Sequence, residues 1–425
     1  MSPSNDNAVA ARRFFHGSAW CIVDAMVHSP QLSGTVVLYS GKDPQDAGSH
    51  ETQTRLAIAA RLAALRGSEF AGHYDPAHSY AGRLYFVPGD TLTTAEAREL
   101  GISSEGDLFG GVVPQPFIAT KVITHPLVTL DAAAPEGWSQ EMAKLLPEEV
   151  LPGFSVFATA DARRAAASLL QLGRARLKKA LGIGGAGQSV IASLDELDAL
   201  LDAMDGDELR RHGVVIEQNL EQVTTYSVGE VHVAGARIAY YGTQRLTPNH
   251  RGADVYGGSD LVVVRERFDS LLELQLDEAA RQAISEARRY DAAAMRAFPG
   301  FMASRRNYDV VHGLDREGLS RSGVLEQSWR IGGASPAEIA ALEAFRAEPQ
   351  RHSVRASCYE VYGECVPPPH ATVCFNGDDP RVGRLTKYSL INEHTGGANC
   401  AMSGTGHASV GAGPETVSDS HEDHA

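Results

Sequence analysis

Apolar positions along the chain recur with two periods, every second residue in some stretches and every third or fourth in others. Helix-type spacing predicts helices over 51–66 (ETQTRLAIAARLAALR, closed by Gly67), 161–172 (ending at Gly173), 194–204 and 277–297. It also predicts shorter helices near 94–100 and over 138–149. Short apolar or alternating runs predict strands over 35–39, 83–87, 150–158, 174–179, 188–192, 214–218, 226–233 and 237–241, the last two joined by an Ala234-Gly235 turn. Further strands are expected around Asp309 and over 324–330, separated by the turn-rich GLDREGLSRSG. Residues 112–128, VVPQPFIATKVITHPLV, read as mostly extended, and 246–260 as a long loop carrying Pro248, Gly252, Gly257 and Gly258. Ser193 with Glu196 forms one capping box, and Ser335, Pro336 and Glu338 predict the start of a helix that runs to about Arg346.

These elements divide the chain. Residues 1–12 are polar and expected to be disordered. Residues 13–135 alternate strand and helix in the doubly wound manner and end in a linker, DAAAPEG. Residues 136–212 and 213–349 form two mixed α+β units, 350–402 a β-rich extension, and 403–425 a Gly/Ser/Thr-rich acidic tail, again expected to be disordered. No internal repeat is present.

Composition narrows the classes. The 425 residues carry 38 Lys and Arg against 53 Asp and Glu, a net charge of −15 without a long basic run. Nonspecific binding to nucleic acid or to an anionic membrane is therefore not expected. MSPSNDN has neither the basic start nor the apolar core of a signal peptide, and no apolar run reaches a membrane span. Five scattered cysteines suit a reducing cytoplasm better than a disulfide framework.

The stretch RARLKKALGIGGAGQSVIA places four glycines, Gly182, Gly184, Gly185 and Gly187, between two strands. Backbone N–H groups of such a loop can approach an anion closely, and a lysine at the strand's end adds a point charge for phosphate. The spacing matches G-x-G-x-x-G, but a Rossmann fingerprint opens into a helix, and here a second strand follows. No G-K-[ST] makes it a Walker loop. A hairpin over phosphates and a plain structural hairpin both remain.

In VLEQSWRIGG, alternation puts Glu326, Ser328 and Arg330 on one strand face and Leu325, Gln327 and Trp329 on the other. A carboxylate, a hydroxyl and a guanidinium in one row suit a magnesium–phosphate site, with Asp309 as a second carboxylate; a solvated Glu–Arg pair is the plain alternative. The apolar strand VVIEQNL, 214–220, breaks into polar residues that can offer a base and ribose hydrogen bonds, or is an ordinary strand end. Cys358, Cys365, His370 and Cys374 lack a C-x-x-C pair and read as structural rather than zinc ligands. His125, His250 and Tyr256 with Gly257 and Gly258 are candidate substrate contacts, set against core or solvated positions. A protein kinase is excluded, since neither H-R-D nor D-F-G occurs.

The order of these pieces, a lysine strand with a glycine hairpin, V-V-I-E, an aspartate strand, then L-E-x-x-x-R-x-G-G, resembles the ATP-grasp superfamily over about residues 151–333. The chain as a whole resembles a bacterial branch of unknown function. The resemblance implies a mixed α/β and α+β fold: an ATP-grasp core of two α+β subdomains, preceded by a Rossmann-like pre-ATP-grasp domain. It implies that Lys178 binds ATP phosphates, that Gly184, Gly185, Gly187 and Gln188 cover them, and that Glu217, Gln218, Asn219 and Leu220 form the adenine hinge. It further implies Asp309 and Glu326, with Ser328, at magnesium, and Arg330 with Lys178 at the transferring phosphate. An earlier lysine is expected, for which Lys121 is preferred over Lys144. Three positions depart from the pattern: Lys179 follows Lys178 where proline is common, Ser328 replaces an asparagine, and Thr224, Thr225 and Tyr226 occupy the place of a ribose glutamate, for which Glu221 substitutes. The implied activity is ATP- and Mg2+-dependent ligation of a small-molecule carboxylate to an amine or thiol, in the cytoplasm, with a homodimer among the partners; the alternative is a nucleotide-binding protein without ligase activity.

Overall fold

The computed structural model describes residues 34–41, 48–182 and 187–392. Both expected disordered ends, and Gly184 and Gly185, lie outside the described residues. The described residues open with β1 (Gly34–Tyr39), α1 (His50–Arg66), β2 (Glu69–His73) and β3 (Arg83–Pro88). They form a three-stranded parallel sheet, β2-β1-β3, with α1 against it. Ser49 caps α1, and Gly67, at φ 65°, ends it. Next come β4 (Leu92–Thr93), α2 (Thr94–Glu99) and β5 (Gly111–Val113).

Residues 112–128 are not mostly extended. Past β5 they fold into two 3-10 turns, Pro116–Ala119 and Lys121–Thr124. Pro116 has no N–H to give a ladder and suits a first helical position, while the Thr120 hydroxyl accepts from Val122 N and starts the second turn. The helix expected over 138–149 shrinks to α3 (Glu141–Leu145), because Leu146 precedes Pro147 and leaves helical geometry at ψ 48°.

A four-stranded antiparallel sheet follows, from β6 (Gly153–Val156), α4 (Thr159–Leu169), β7 (Ala175–Lys179), β8 (Gln188–Ile191), α5 (Leu194–Asp202), α6 (Gly206–His212) and β9 (Val214–Gln218). Its order is β6-β9-β7-β8, with α4 and α5 packed on Val156, Leu177 and Ile216.

The rest builds one eight-stranded antiparallel sheet. Its parts are β10 (Glu221–Val233), β11 (Ala236–Pro248), β12 (Asp254–Arg265), α7 (Phe268–Leu272), α8 (Glu278–Ala297), β13 (Met302–Ala303), β14 (Arg305–Leu314), β15 (Ser320–Ser328), α9 (Ser335–Ala347), β16 (Ser353–Tyr362), β17 (Thr372–Asp379) and β18 (Gly383–Asn392). The order is β15-β14-β10-β11-β12-β16-β18-β17; β13 joins β5 and β4 instead. The β-rich extension expected from residue 350 thus continues the same sheet as far as the described residues go, to Asn392. Helix α8 covers one face through Ile284, Ala287 and Tyr290 against Val228, Tyr308 and Val324. On the other face α9 and α1 pack on Val231, Tyr240 and Leu261.

Two expectations fail here. The 246–260 segment is a β11–β12 hairpin with only 249–253 as its turn. Gly257 and Gly258 serve close approach within the strand, since a Cβ at Gly258 would lie 2.0 Å from Cys358 O, while Gly252 belongs to the turn at φ 73°. The Ser335–Glu338 cap does not form. Ala334 is the N-cap without a side-chain bond, and Glu338 is buried against Arg305.

Candidate functional site

Antiparallel register partners share a sheet face. Asp309 on β14 pairs with Glu326 on β15 and with Ser227 on β10, so all three lie on the α9 side of the sheet, beyond the reach of that helix's core. Asp309 Oδ1 accepts from Asn307 Nδ2 at 2.9 Å and from Ser227 Oγ at 3.4 Å, and Ser227 in turn accepts from Gln244 Nε2 at 2.9 Å. Burial, and then the charge of Glu326, push the Asp309 carboxyl up to about 6. Two facing carboxylates, one already reluctant to ionise, make a donor set suited to a hard divalent cation such as magnesium. Among the described residues no group of three His, Cys, Asp or Glu converges on a metal site. Any further ligands would come from elsewhere, as is usual for magnesium.

The lysines come from separate parts of the chain. Lys121 Nζ lies 2.5 Å from Glu326 Oε2 and donates to Gly182 O at 2.9 Å, joining β15 to the foot of the glycine hairpin. Its backbone is held from behind. Gln327, on the opposite face of β15, donates to Ile118 O at 3.0 Å and Thr120 O at 2.8 Å, and accepts from Tyr290. Lys144 sits exposed on α3. Lys178 is buried, and its Nζ lies 2.5 Å from Glu217 Oε1. The other Glu217 oxygen is 3.1 Å from His125 Nε2, whose Nδ1 has no partner among the described residues. Burial alone would raise Glu217, but the Lys178 charge and the His125 bond outweigh it and hold the carboxyl at about 2. Lys179 turns to the other side and pairs with Glu208 at 3.3 Å, 40% exposed.

The hinge candidates follow β9. Glu217, Gln218 and Leu220 are buried and Asn219 is half-buried, while Gln218 N donates to Pro152 O and Asn219 N to Arg174 O. Glu221, which the sequence put forward for the ribose, is exposed at the start of β10. Gly187 takes φ 72°, and Gln188 pairs across the hairpin with Lys178.

Ser328 faces Asn307 across β14–β15, and its hydroxyl accepts from Arg305 Nη1 at 3.2 Å. The same guanidinium donates to Arg330 O at 2.6 Å and forks onto Glu338, which also accepts from Tyr240 OH at 2.6 Å. Arg305 and Glu338 are 1% and 0% exposed, a buried pair that fixes the end of β15. Arg330 reaches out instead, with Nε 3.4 Å from Asp90. Sequence reasoning missed Arg305, Asn307, Gln327 and Gln244. The available signal was an arginine in a strand two residues before an asparagine and four before Asp309, which puts all three on one strand face.

Other candidates fall outside. His250 Nε2 donates to Arg384 O and stacks edge-on to Tyr362. Tyr256 packs under Gly333 and bonds Ser259, supporting the I-G-G turn. Cys358 is buried, its thiol pushed up to about 11 by that burial, and no zinc cluster forms with Cys365 or Cys374 among the described residues.

A family model described as "Protein of unknown function (DUF3182)" matches residues 37–389. No curated protein matches the chain. Among solved structures, the chain is similar to N5-carboxyaminoimidazole synthetase from Staphylococcus aureus complexed with ADP, at 12% identity and TM-score 0.46 over 85% of this chain and 94% of that one. It is similar to D-alanyl-alanine synthetase A from Vibrio cholerae at 14% identity and TM-score 0.45, over 71% and 90% of the two chains. A third is the biotin carboxylase domain of Hydrogenobacter thermophilus 2-oxoglutarate carboxylase with MgADP, ADP and bicarbonate, at 12% identity and TM-score 0.49 over 84% and 86%. All three are ATP-grasp enzymes.

Proposed function

We propose that this chain, which belongs to the family described as "Protein of unknown function (DUF3182)", is an ATP-dependent ligase of the ATP-grasp kind. A substrate carboxylate oxygen attacks the γ-phosphorus of ATP and ADP leaves. An amine, or a thiol, then attacks the acyl carbon, loses its proton and expels phosphate. The three-stranded parallel sheet with α1 takes the place of the Rossmann-like domain before the core.

The observation that carries this reading is Lys121, whose ammonium joins the carboxylate of β15 to the hairpin foot. It supports the reading because the foot of the hairpin at Gly182, a lysine and the carboxylate of Glu326 meet although they are far apart in sequence. Lys178 and Lys121 would hold phosphate oxygens, the Glu217–Leu220 segment the base, and Arg330 the transferring group. Asp309 and Glu326 would hold Mg2+, which when bound neutralises charge on the phosphates. The chain's own contribution is positioning and fixed charge rather than covalent catalysis. The partners are a small-molecule carboxylate and an amine, with a homodimer and a cytoplasmic setting as part of the same proposal.

One observation favours the second reading, nucleotide binding without ligation: Ser328, where the superfamily has asparagine, spends its hydroxyl on Arg305. Phosphate release from ATP with a pool of carboxylates and amines separates the two. Glu326→Gln is expected to abolish release while ATP still binds. Wild-type turnover by that variant removes the metal assignment, and binding without release in the native chain favours the second reading.

A further inference from the structure

Arg176 stands two residues before Lys178 on β7, so their side chains share the sheet face that carries Glu217, the register partner of Arg176. Arg176 is half-buried. Nη2 donates to Asn219 Oδ1 at 2.8 Å and Nη1 to Gln188 Oε1 at 3.2 Å. Both acceptors are neutral amides. Lys178 and Lys179 on the same strand each have a carboxylate in contact, whereas Arg176 has none within ion-pair distance among the described residues.

A cation withdrawn from water against neutral acceptors alone is incompletely compensated, which leaves its charge available to a ligand on that face. The place is specific. Two strand residues span roughly 7 Å, so Arg176 lies about that far from the phosphate lysine, on the side of hinge residue Asn219. Base and phosphates of a nucleotide are separated on that scale. The two amides also hold the guanidinium plane from opposite sides, one from the hairpin and one from the hinge, without neutralising it. A flat cation so held presents a face to a π-system, as arginine does on aromatic rings.

We propose that Arg176 is the platform for the purine base of bound ATP, stacking its guanidinium on the ring while Asn219 and Gln188 keep it flat. The inference rests on the nucleotide reading above and adds a residue to it. It is tested by titrating ATP and inorganic tripolyphosphate, a probe with no base, into wild type, Arg176→Gln and Arg176→Lys. Unfolding temperatures without ligand check that the variants are folded. Both variants are expected to weaken ATP about tenfold and to leave tripolyphosphate affinity within about twofold. Lysine fails to rescue because it keeps the charge but lacks the plane. Equal weakening of both probes makes Arg176 a phosphate contact and overturns the proposal, as does unchanged ATP affinity. If wild type binds tripolyphosphate but gains nothing from the base of ATP, the nucleotide reading fails and this inference with it.

Discussion

Replacing Lys178 by methionine tests the energetics of the buried Lys178–Glu217–His125 chain. In the native protein Glu217 is 2% exposed and its carboxyl is held from 4.5 down to about 2. At 1.36 kcal/mol per unit, that depression corresponds to about 3 kcal/mol at neutral pH, in line with the cost of stranding one member of a buried pair. The sign follows from the direction of the shift. A depressed carboxyl stabilises the fold above its unfolded value of 4.5, and that contribution is lost as pH falls toward about 2. In Lys178→Met, burial dominates and raises Glu217, so its penalty is greatest at neutral pH and disappears once it is protonated. The gap between wild type and variant should therefore be at least about 3 kcal/mol at pH 7. It should narrow as pH falls, first as the variant's Glu217 is protonated and then, below 4.5, as the wild-type contribution is lost. Urea unfolding followed by fluorescence at pH 7 and pH 4 measures it. Adding Glu217→Gln to the variant should recover most of the loss. A gap of equal size at both pH values, or none at all, would refute the reasoning.

Lys178→Ala should weaken ATP binding at least about tenfold by calorimetry, and Lys179→Ala hardly at all, since Lys179 turns to Glu208; the opposite order would put the nucleotide on the other face of β7. Lys121→Ala should likewise weaken ATP while Lys144→Ala, on the exposed side of α3, should not, and equal titrations would remove Lys121 from the site. Gly242→Ala would set a Cβ 1.8 Å from Asp260 O and should prevent stable folding, whereas Gly252→Ala, with open space at φ 73°, should cost only about 1–2 kcal/mol; comparable melting temperatures for the two would contradict the strand assignment of residues 254–265.

Much of the candidate site's strand layout was legible because strand alternation is local. Glu326, Ser328 and Arg330 were separable from Gln327 and Trp329 by counting in twos, and the structure buries the second set. Lys178 could not be chosen over Lys179 that way, because its burial depends on Glu217, a residue from another strand. The β11–β12 hairpin was hidden because glycine usually marks a turn, and here Gly242 and Gly258 are demanded by neighbouring backbone. S-x-x-E before α9 imitates a cap, yet Glu338 answers to Arg305, 33 residues earlier. Lys121 was similarly ambiguous. What brings its segment to Glu326 is Gln327, more than 200 residues downstream, and no local pattern records such a bond.

That bond gives β15 the character of a calliper. Glu326 hangs from one side of the strand, and Gln327, the next residue, grips the carbonyls on either side of Ala119 from the other. Both jaws are carried on one bar. When the edge strand sways, carboxylate and ammonium sway with it, so the two displacements are correlated and largely cancel in the distance between them. The Lys121–Glu326 spacing is therefore steadier than the position of either residue measured against the rest of the sheet, even though the strand that sets it lies at the sheet's edge.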